Sequence, residues 1–274
     1  MKIPLAGVIG CPVGHSRSPR LHGTWLSQYS IAGHYVPLHV EERHLEQVLR
    51  AMPAMGFVGS NVTIPHKEAA LMLADHVTQT ARLIGAANTL AFTDRGIEAD
   101  NTDAYGFVQS LRAGAPQWRG TDGAALVLGA GGAARAVIVA LVDAGVPEIR
   151  LTNRTMARAE ALAAKTVAPV TVVPWEEREA AADGVTLIVN TSALGMEGQP
   201  ALDFAPGALR AGTVVTDIVY TPLETELLRD ARRQGCIAVD GLGMLLHQAV
   251  PGFERWFGRR PEVTQSLRDA VMLP

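Results

Sequence analysis

The segment Asn61-Val-Thr-Ile-Pro-His-Lys67 runs from a β-branched stretch into a helix-forming one, and it sets a lysine near an amide and a hydroxyl. An unperturbed lysine, with a pKa of about 10.4, is an ammonium at neutral pH and can donate a proton to an oxygen that gains charge. Most lysines are solvated surface charges. This one follows a strand end, where α/β proteins gather ligands. Gly14-His-Ser-Arg-Ser-Pro19 places Ser16 and Ser18 two residues apart at a helix start. Hydroxyls together with free N–H groups make a seat for a carboxylate. Plain helix capping accounts for Ser18 and leaves Ser16 over. Gly85-Ala-Ala-Asn-Thr89 and Asp100-Asn-Thr-Asp103 bring further amides, hydroxyls and a carboxylate to element boundaries. Each alone is an ordinary turn or cap. Together the four segments describe a pocket for a small polyhydroxylated molecule.

A fifth segment points to a nucleotide. In Val127-Leu-Gly-Ala-Gly-Gly-Ala-Ala134, residues Gly129, Gly131 and Ala134 match the G-x-G-x-x-G/A pattern between a strand and a helix. Such glycines permit a tight turn and let backbone N–H groups approach a pyrophosphate at the helix N-terminus. An NAD site usually carries Asp or Glu about 20 residues further on, for the ribose 2′-hydroxyl. Here that place holds Asn153-Arg154-Thr155, with Arg158 one turn later. A carboxylate would repel a 2′-phosphate and an arginine would pair with it, so the pattern favours NADP over NAD.

These segments need a scaffold of alternating strands and helices. Strands are predicted near Leu5–Ile9, Tyr35–Val40, Gly59–Thr63, Thr89–Thr93 and Ile97–Ala99, with helices near Pro19–Ser30, His44–Ala54, Lys67–Ala74, Thr78–Ile84 and Asp103–Ala113. Ser18 reads as the N-cap of the first helix, with Pro19 at its first position. After the loop Ala113–Gly123 a second series follows: strands Ala125–Leu128, Ile149–Thr152, Val170–Val173, Leu187–Asn190 and Val214–Asp217, helices Gly132–Ala144 and Met156–Lys165, and a helical tail from Leu242 that Pro251 and Pro261 should break. The alternation argues for α/β with mostly parallel strands, one domain ending near residue 104 and a nucleotide-type domain beginning there.

Composition bounds the remaining possibilities. The 274 residues are 48% hydrophobic, 19% charged and carry a net charge of −3, which is globular and not disordered composition. The 24 Lys and Arg are scattered, without the basic patch of a nucleic-acid binder. Cys11 and Cys236 cannot form a disulfide framework, so a reducing cytoplasm is expected. The longest apolar stretch, Ala124–Ala134, is about half a membrane span. Pro4, Gly7, Gly10 and Pro12 interrupt the N-terminal apolar run, and no small-x-small cleavage site follows, so no targeting segment is expected. No His, Cys and carboxylate grouping has metal-ligand spacing.

In order along nearly the whole chain, His15-Ser-Arg-Ser-Pro19, Asn61–Lys67, Gly85–Thr89, Asn101-Thr-Asp103, Gly129–Ala133, Asn153-Arg-Thr155 and Gly241-Leu-Gly-Met-Leu245 resemble the motifs of the shikimate dehydrogenase family. The resemblance implies an α/β fold of two domains: residues 1–104 binding substrate and carrying catalysis, residues 105–240 forming a Rossmann-type NADP domain, and residues 241–274 forming helices that return to the first domain. It implies reversible reduction of 3-dehydroshikimate to shikimate by NADPH, in the biosynthesis of chorismate and the aromatic amino acids. Lys67 and Asp103 would be the catalytic pair. Ser16 and Ser18 would hold the substrate carboxylate, and Thr63, Asn88, Gln248 and Tyr220 would meet its other oxygens. Gly129, Ala130, Gly131, Gly132 and Ala133 would cradle the pyrophosphate. Asn153, Arg154, Thr155 and Arg158 would take the 2′-phosphate side, and Ile218 and Gly241 would approach the nicotinamide. Two readings of Asp103 stand: it orients Lys67, or it shares the proton. Gly23 follows His22 where many members have Asn, and Ile218 stands where some have Met. The implied partner is a small molecule, not nucleic acid or membrane, and the chain would act as a monomer or homodimer. A quinate/shikimate dehydrogenase using NAD as well, and a non-catalytic nucleotide sensor on the same fold, are the rival readings. A sensor has no use for both Lys67 and Asp103.

Overall fold

The computed structural model describes residues 3–166 and 169–273. They divide into two compact units, one running to Thr102 and resuming at Gln248, the other comprising Asp103–His247. The α/β class is as expected, and each unit is built on one six-stranded sheet.

In the first unit, β1 (Leu5–Gly10) pairs in parallel with β2 (His34–His39) and β3 (Gly59–Val62). The sheet continues through β5 (Thr89–Thr93) and β6 (Gly96–Asp100) to the two-residue β4 (His76–Val77), in the order β2-β1-β3-β5-β6-β4. β5 runs antiparallel to both neighbours, and a tight turn at Asp94-Arg95 joins it to β6. Gly96 closes that turn at φ 109°, a backbone region that favours glycine. Helices α1 (Ser18–Gln28), α2 (Leu45–Ala51), α3 (Lys67–Leu73) and α4 (Gln79–Ile84) follow their strands. Ile9, Leu45, Leu49, Phe57, Val62 and Leu90 are among the residues that close one core of this unit.

The second unit opens with α5 (Asp103–Gly114) and holds an all-parallel sheet. Its strands are β7 (Ala125–Leu128), β8 (Ile149–Thr152), β9 (Val170–Val173), β10 (Leu187–Asn190), β11 (Val214–Asp217) and β12 (Ile237–Val239), in the order β12-β11-β10-β7-β8-β9. β7, β10 and β11 are buried at every position, as expected of strands covered on both faces. The strand order reverses at β7, so the crevice outside its C-terminal end is where this architecture binds ligands. Helices α6 (Gly132–Asp143), α7 (Met156–Ala163) and α8 (Glu226–Arg233) complete the unit.

Three expectations are corrected. The first helix begins at Ser18 with Arg17 as N-cap, and no side chain caps it in that position. Pro251 does not break the tail: it lies inside α9 (Gly241–Phe257). Its missing N–H and ring cost a helix roughly 3 kcal/mol. Leu246, Ala249, Val250, Phe253 and Trp256, all nearly inaccessible, offset that by burial on both sides of it. Pro261 does fall between α9 and α10 (Gln265–Met272). The structure also adds β4, α8 and β12 to the expected elements. The two strands are too short for any hydrophobic period to reveal.

The tail is bonded into the first unit. The Trp256 indole N–H donates to the Leu90 carbonyl at 2.9 Å, against Gly59, where a Cβ would collide with the indole. Arg17 donates to the Val271 carbonyl at 2.6 Å, and Arg20 donates to Leu273. Beneath α1, the fully buried His22 stacks on Tyr35 at 4.0 Å, with Trp25, Phe253 and Trp256 around it. Among the described residues neither His22 ring nitrogen has a hydrogen-bond partner in good geometry. Burial lowers its pKa to about 3, against a weaker opposing pull from the nearby Asn61 side chain, so it is neutral in the fold at pH 7.

In the unfolded chain His22 takes up a proton below about pH 6.5, while the folded chain refuses it down to about 3. Stability therefore falls as the pH drops through that window, by roughly 4–5 kcal/mol at its acid end. Urea denaturation of wild type and His22→Leu between pH 7 and 4 should show a shallower acid loss in the variant. Parallel curves would clear His22 of that role.

Candidate functional site

In the first unit the polar segments converge through the backbone. Thr63 follows β3 and its N–H donates to the Ile9 carbonyl at 2.8 Å, which ties the end of β3 to β1. The His66 N–H donates to the Thr63 carbonyl, and the His66 Nε2–H donates to the Val40 carbonyl at 2.6 Å. A carbonyl only accepts, so this contact fixes the tautomer of His66 and anchors the residue before Lys67. Lys67 is the first residue of α3, and its carbonyl accepts the Ala87 N–H at 2.9 Å. That bond sets the lysine segment against the segment that carries Asn88.

Asn88 is almost inaccessible and its amide is heavily engaged. Its Oδ1 accepts from the Thr102 N–H at 2.8 Å and the Thr89 hydroxyl at 2.9 Å, and its Nδ2 donates to Gln248 Oε1 at 3.2 Å and Thr102 Oγ1 at 3.1 Å. Asn61 donates through Nδ2 to the Asn88 carbonyl at 3.1 Å and to Thr89 Oγ1 at 3.2 Å, and its Oδ1 accepts the Tyr35 hydroxyl at 2.7 Å. Asp103, the first residue of α5, follows Thr102 directly. Thr63, Lys67, Asn88 and Gln248 thus belong to the first unit with Ser16 and Ser18, whereas Asp103 and Tyr220 belong to the second.

The serine segment carries an unexpected bond. Ser16 Oγ accepts the Ser18 N–H at 3.3 Å, so the residue that capping left over braces the helix start itself. Ser18 lies against the Tyr35 hydroxyl, and burial pushes that phenol well above its ordinary range. Arg17 stands between the serines but is spent on α10. Hydroxyls and amides, not that guanidinium, are what this helix start offers to an anion.

In the second unit the glycine segment sits at the C-terminal end of β7. Gly129 adopts φ 106°, and a Cβ there would lie 2.8 Å from Thr191 Oγ1. Thr191 in turn donates to the Leu128 and Gly129 carbonyls. Gly131 and Gly132 are exposed, and a Cβ on either would meet nothing within 4 Å. Gly131 is the N-cap of α6 and offers no side chain, so the first amides of the helix, at Gly132 and Ala133, face outward for an anion. Asn153 braces this loop: its Oδ1 accepts the Ala130 N–H at 3.1 Å, and its Nδ2 donates to the Thr155 carbonyl at 2.8 Å. Thr155 is the N-cap of α7 but makes no capping bond through its side chain. Arg154 and Arg158 are exposed, and among the described residues neither forms an ion pair or side-chain hydrogen bond. Ile218 and Gly241 meet beyond the ends of β11 and β12, with the Ile218 carbonyl where a Cβ on Gly241 would stand.

The structure also brings in residues that the sequence left unassigned. Asn190 donates to Asp217 Oδ1 at 2.9 Å, and Thr225 and the Val219 N–H donate to the same carboxylate. Burial raises the Asp217 pKa to about 6 against those three hydrogen bonds. This cluster fixes the turn that leads to Ile218 and Tyr220. Its signal in the sequence was only a polar residue at each of two strand ends.

Residues 8–90 match the shikimate dehydrogenase substrate binding domain, residues 117–194 the shikimate/quinate 5-dehydrogenase model and residues 241–272 the shikimate 5′-dehydrogenase C-terminal domain. The NADP(+) shikimate dehydrogenase of Ruegeria sp. (strain TM1040) is 58% identical over 272 residues, 99% of each chain. The chain belongs to the shikimate dehydrogenase family. Among solved structures, shikimate 5-dehydrogenase from Thermus thermophilus in complex with NADP(H) and shikimate superposes with a TM-score of 0.85 at 36% identity, covering 98% of each chain. Quinate dehydrogenase from Corynebacterium glutamicum in complex with NAD gives 0.89 at 32% identity, again over 98% of each. Within the glycine loop of this chain, Gly129 and Gly131 do different work.

Gly129→Ala must strain a left-handed backbone and displace Thr191, so it should cost more than about 1 kcal/mol of stability. Gly131→Ala enters open space at ordinary φ and should melt within about a degree or two of wild type. Thermal unfolding of the pair tests this. Equal losses would mean that the loop geometry is not what restricts Gly129.

Proposed function

We propose that this chain catalyses the reversible reduction of 3-dehydroshikimate to shikimate with NADPH, in the biosynthesis of chorismate and the aromatic amino acids. The observation that carries the reading is the bond from the Ala87 N–H to the Lys67 carbonyl, which sets the backbone of a residue with a proton-donating side chain against the segment that carries Asn88. The NADP(+) naming of the Ruegeria relative supports the choice of cofactor. So do the residues here. Gly131 and Gly132 leave room for a pyrophosphate beside the α6 N-terminus, and Arg154 and Arg158 are positive charges with no carboxylate among the described residues to neutralise them. Gly129 to Ala133 would hold the pyrophosphate, with Asn153 as brace and Arg154, Thr155 and Arg158 on the 2′-phosphate side. NADPH bound there supplies the hydride.

The chain's own residues supply position and the proton. Ser16 and Ser18 hold the substrate carboxylate. Thr63, Asn88, Gln248 and Tyr220 meet its other oxygens. Lys67, as ammonium, polarises the ketone oxygen and gives its proton to the alkoxide. In the oxidation direction the free amine accepts the hydroxyl proton. Asp103 orients that ammonium or shares its proton. Ile218 and Gly241 form the apolar wall near the nicotinamide. The residues up to Thr102 and from Gln248 on act as the substrate unit, and Asp103–His247 as the NADP unit. Cys11 and Cys236 are both free thiols, which suits a cytoplasmic enzyme, and no described helix is long and apolar enough to cross a membrane. Sedimentation would separate a monomer from a homodimer.

A second reading is favoured by one observation, the likeness to the NAD-bound quinate dehydrogenase. Reduction of NADP⁺ and of NAD⁺ with shikimate and with quinate decides between them. The expected order is shikimate with NADP⁺ far ahead, and no turnover with any pair would leave only a nucleotide sensor. Lys67→Ala should lower kcat by about 10²–10⁴-fold with a much smaller change in KM. A near-normal kcat would remove Lys67 from proton transfer.

Arg154→Ala separates the cofactors. A charge-assisted hydrogen bond to phosphate is worth enough that its loss should weaken NADP⁺ about tenfold or more, while NAD⁺ stays nearly unchanged. Equal losses for both would assign Arg154 to the fold.

A further inference from the structure

Three segments of the second unit meet at one carboxylate. Asp217 is the last residue of β11 and is inaccessible to solvent. Its Oδ1 accepts the Asn190 Nδ2–H at 2.9 Å and the Val219 N–H at 3.0 Å, and its Oδ2 accepts the Thr225 hydroxyl at 2.8 Å. Asn190 cannot turn its amide over, because Nδ2 also donates to the Leu194 carbonyl and Oδ1 accepts the Ser192 N–H. The bond to Val219 sets a peptide plane. In a trans peptide the N–H and the C=O point opposite ways, so a Val219 N–H held on the carboxylate sends the Ile218 carbonyl away from it. That carbonyl stands where a Cβ on Gly241 would be, and the Val219 carbonyl crowds the same place. The Ile218 N–H is held separately, by the Asn190 carbonyl at 3.1 Å. This backbone bond fixes the peptide before Ile218, and the carboxylate fixes the peptide after it.

We propose that Asp217 is a positioning residue for the nicotinamide: its carboxylate fixes the peptide between Ile218 and Val219 and so sets the wall, Ile218 with Gly241, against which the ring lies during hydride transfer. This rests on the reading of Ile218 and Gly241 as the nicotinamide wall. Asp217 is buried beneath that wall, touches no cofactor itself and acts only through the peptide. Its place in the reaction is therefore the alignment of the ring, and not the binding of the adenosine 2′-phosphate end, because Arg154 and Arg158 share no hydrogen bond with this cluster among the described residues.

Asp217→Leu keeps the approximate size and removes the acceptor. Asp217→Asn keeps one oxygen, which the two donors from Asn190 and Val219 turn toward themselves, and its NH₂ can donate to the Thr225 hydroxyl. With shikimate and NADP⁺, above the carboxylate pKa of about 6, Asp217→Leu should lower kcat by about 10–100-fold, the scale of a misplaced reacting group, with the shikimate KM within about threefold. Asp217→Asn should keep kcat within about threefold of wild type, because the Val219 N–H still finds its acceptor. The fragment 2′,5′-ADP, which carries the 2′-phosphate and no nicotinamide, should bind both variants within about twofold of wild type. A near-normal kcat in Asp217→Leu overturns the proposal. So does an Asp217→Asn enzyme as impaired as Asp217→Leu, because the charge and not the acceptor would then matter. Loss of 2′,5′-ADP affinity in step with kcat overturns it too, by showing that the carboxylate supports the whole unit. If Asp217→Leu does not fold, Gly241→Ala, whose Cβ must push the same peptide aside, should show the same loss of kcat with 2′,5′-ADP binding kept, and a normal kcat overturns the proposal equally. An inactive wild type sinks the functional reading and this proposal with it. An active wild type with insensitive variants sinks this proposal alone.

Discussion

Asn88 has both ends of its amide buried, and a buried amide must find partners of the right kind at each end. The Thr102 N–H makes one of those ends a fixed acceptor, and much of the first unit follows from it. The strand that carries Asn61 must lie beside the strand that begins at Thr89, which is the β3–β5 pairing. The segment before Asn88 must lie against the start of α3, which is the Lys67–Ala87 bond. The tail helix must bring Gln248 up to Asn88, and this is one reason that residues near the end of the chain belong to the unit formed by its beginning. A wholly apolar core would have been easier to satisfy. It would not have distinguished one amide orientation from its reverse.

The second unit solves a different problem. Its sheet is parallel and covered on both faces, so its strands are nearly uniform apolar runs, and the chemistry is confined to the strand ends. At the end of β7 a left-handed glycine lets the chain turn against Thr191 without a side chain in the way, and the next two glycines leave the helix amides uncovered. At the end of β8 the amide of Asn153 stiffens this turn, while Arg154 and Arg158 remain unpaired among the described residues. Paired with carboxylates, they would be ordinary surface ion pairs worth little to stability. Without carboxylates beside them, they leave uncompensated positive charge just past the end of β8.

What the sequence made legible divides along the same physical line. Five of the six strands of the second unit were readable almost to the residue, because burial gives short apolar runs such as Ala125–Leu128. The polar segments of the first unit stood out because several of them fall at strand and helix ends in one stretch of chain, and the structure brings Asn61, Asn88, Thr102 and Gln248 into one hydrogen-bonded group. Three kinds of feature were not readable. Two-residue β4 and three-residue β12 are too short to carry a period. Pro251 looked like a break because local propensity says so, and only the burial of Phe253 and Trp256 overrides it. Long-range side-chain partners were hidden altogether. Nothing local says that Arg17 reaches Val271, that Tyr35 serves Asn61, or that Ser16 spends an acceptor on Ser18. Those partnerships decide which polar groups of a motif are available to a ligand and which are already committed.

Asp217 extends the argument to stability. Its pKa in the fold is about 6 against an ordinary value near 3.8, so whatever it contributes is fully present below that ordinary value and is lost as the pH rises through 6. At neutral pH the folded chain bears the cost of a buried carboxylate, on the order of 3 kcal/mol. His22 acts with the opposite sense, costing stability as the pH falls. An apolar residue of similar size would fill either place without that penalty. Asp217 is held by the Val219 N–H, the Thr225 hydroxyl and the Asn190 amide, three donors from three separate segments that converge where the chain leaves β11 for Ile218 and Tyr220. No apolar side chain can accept three hydrogen bonds at once, and removing the acceptor would leave all three donors buried and unmet. The fold thus accepts a standing electrostatic cost at one strand end in order to hold the residues beyond it in a single conformation.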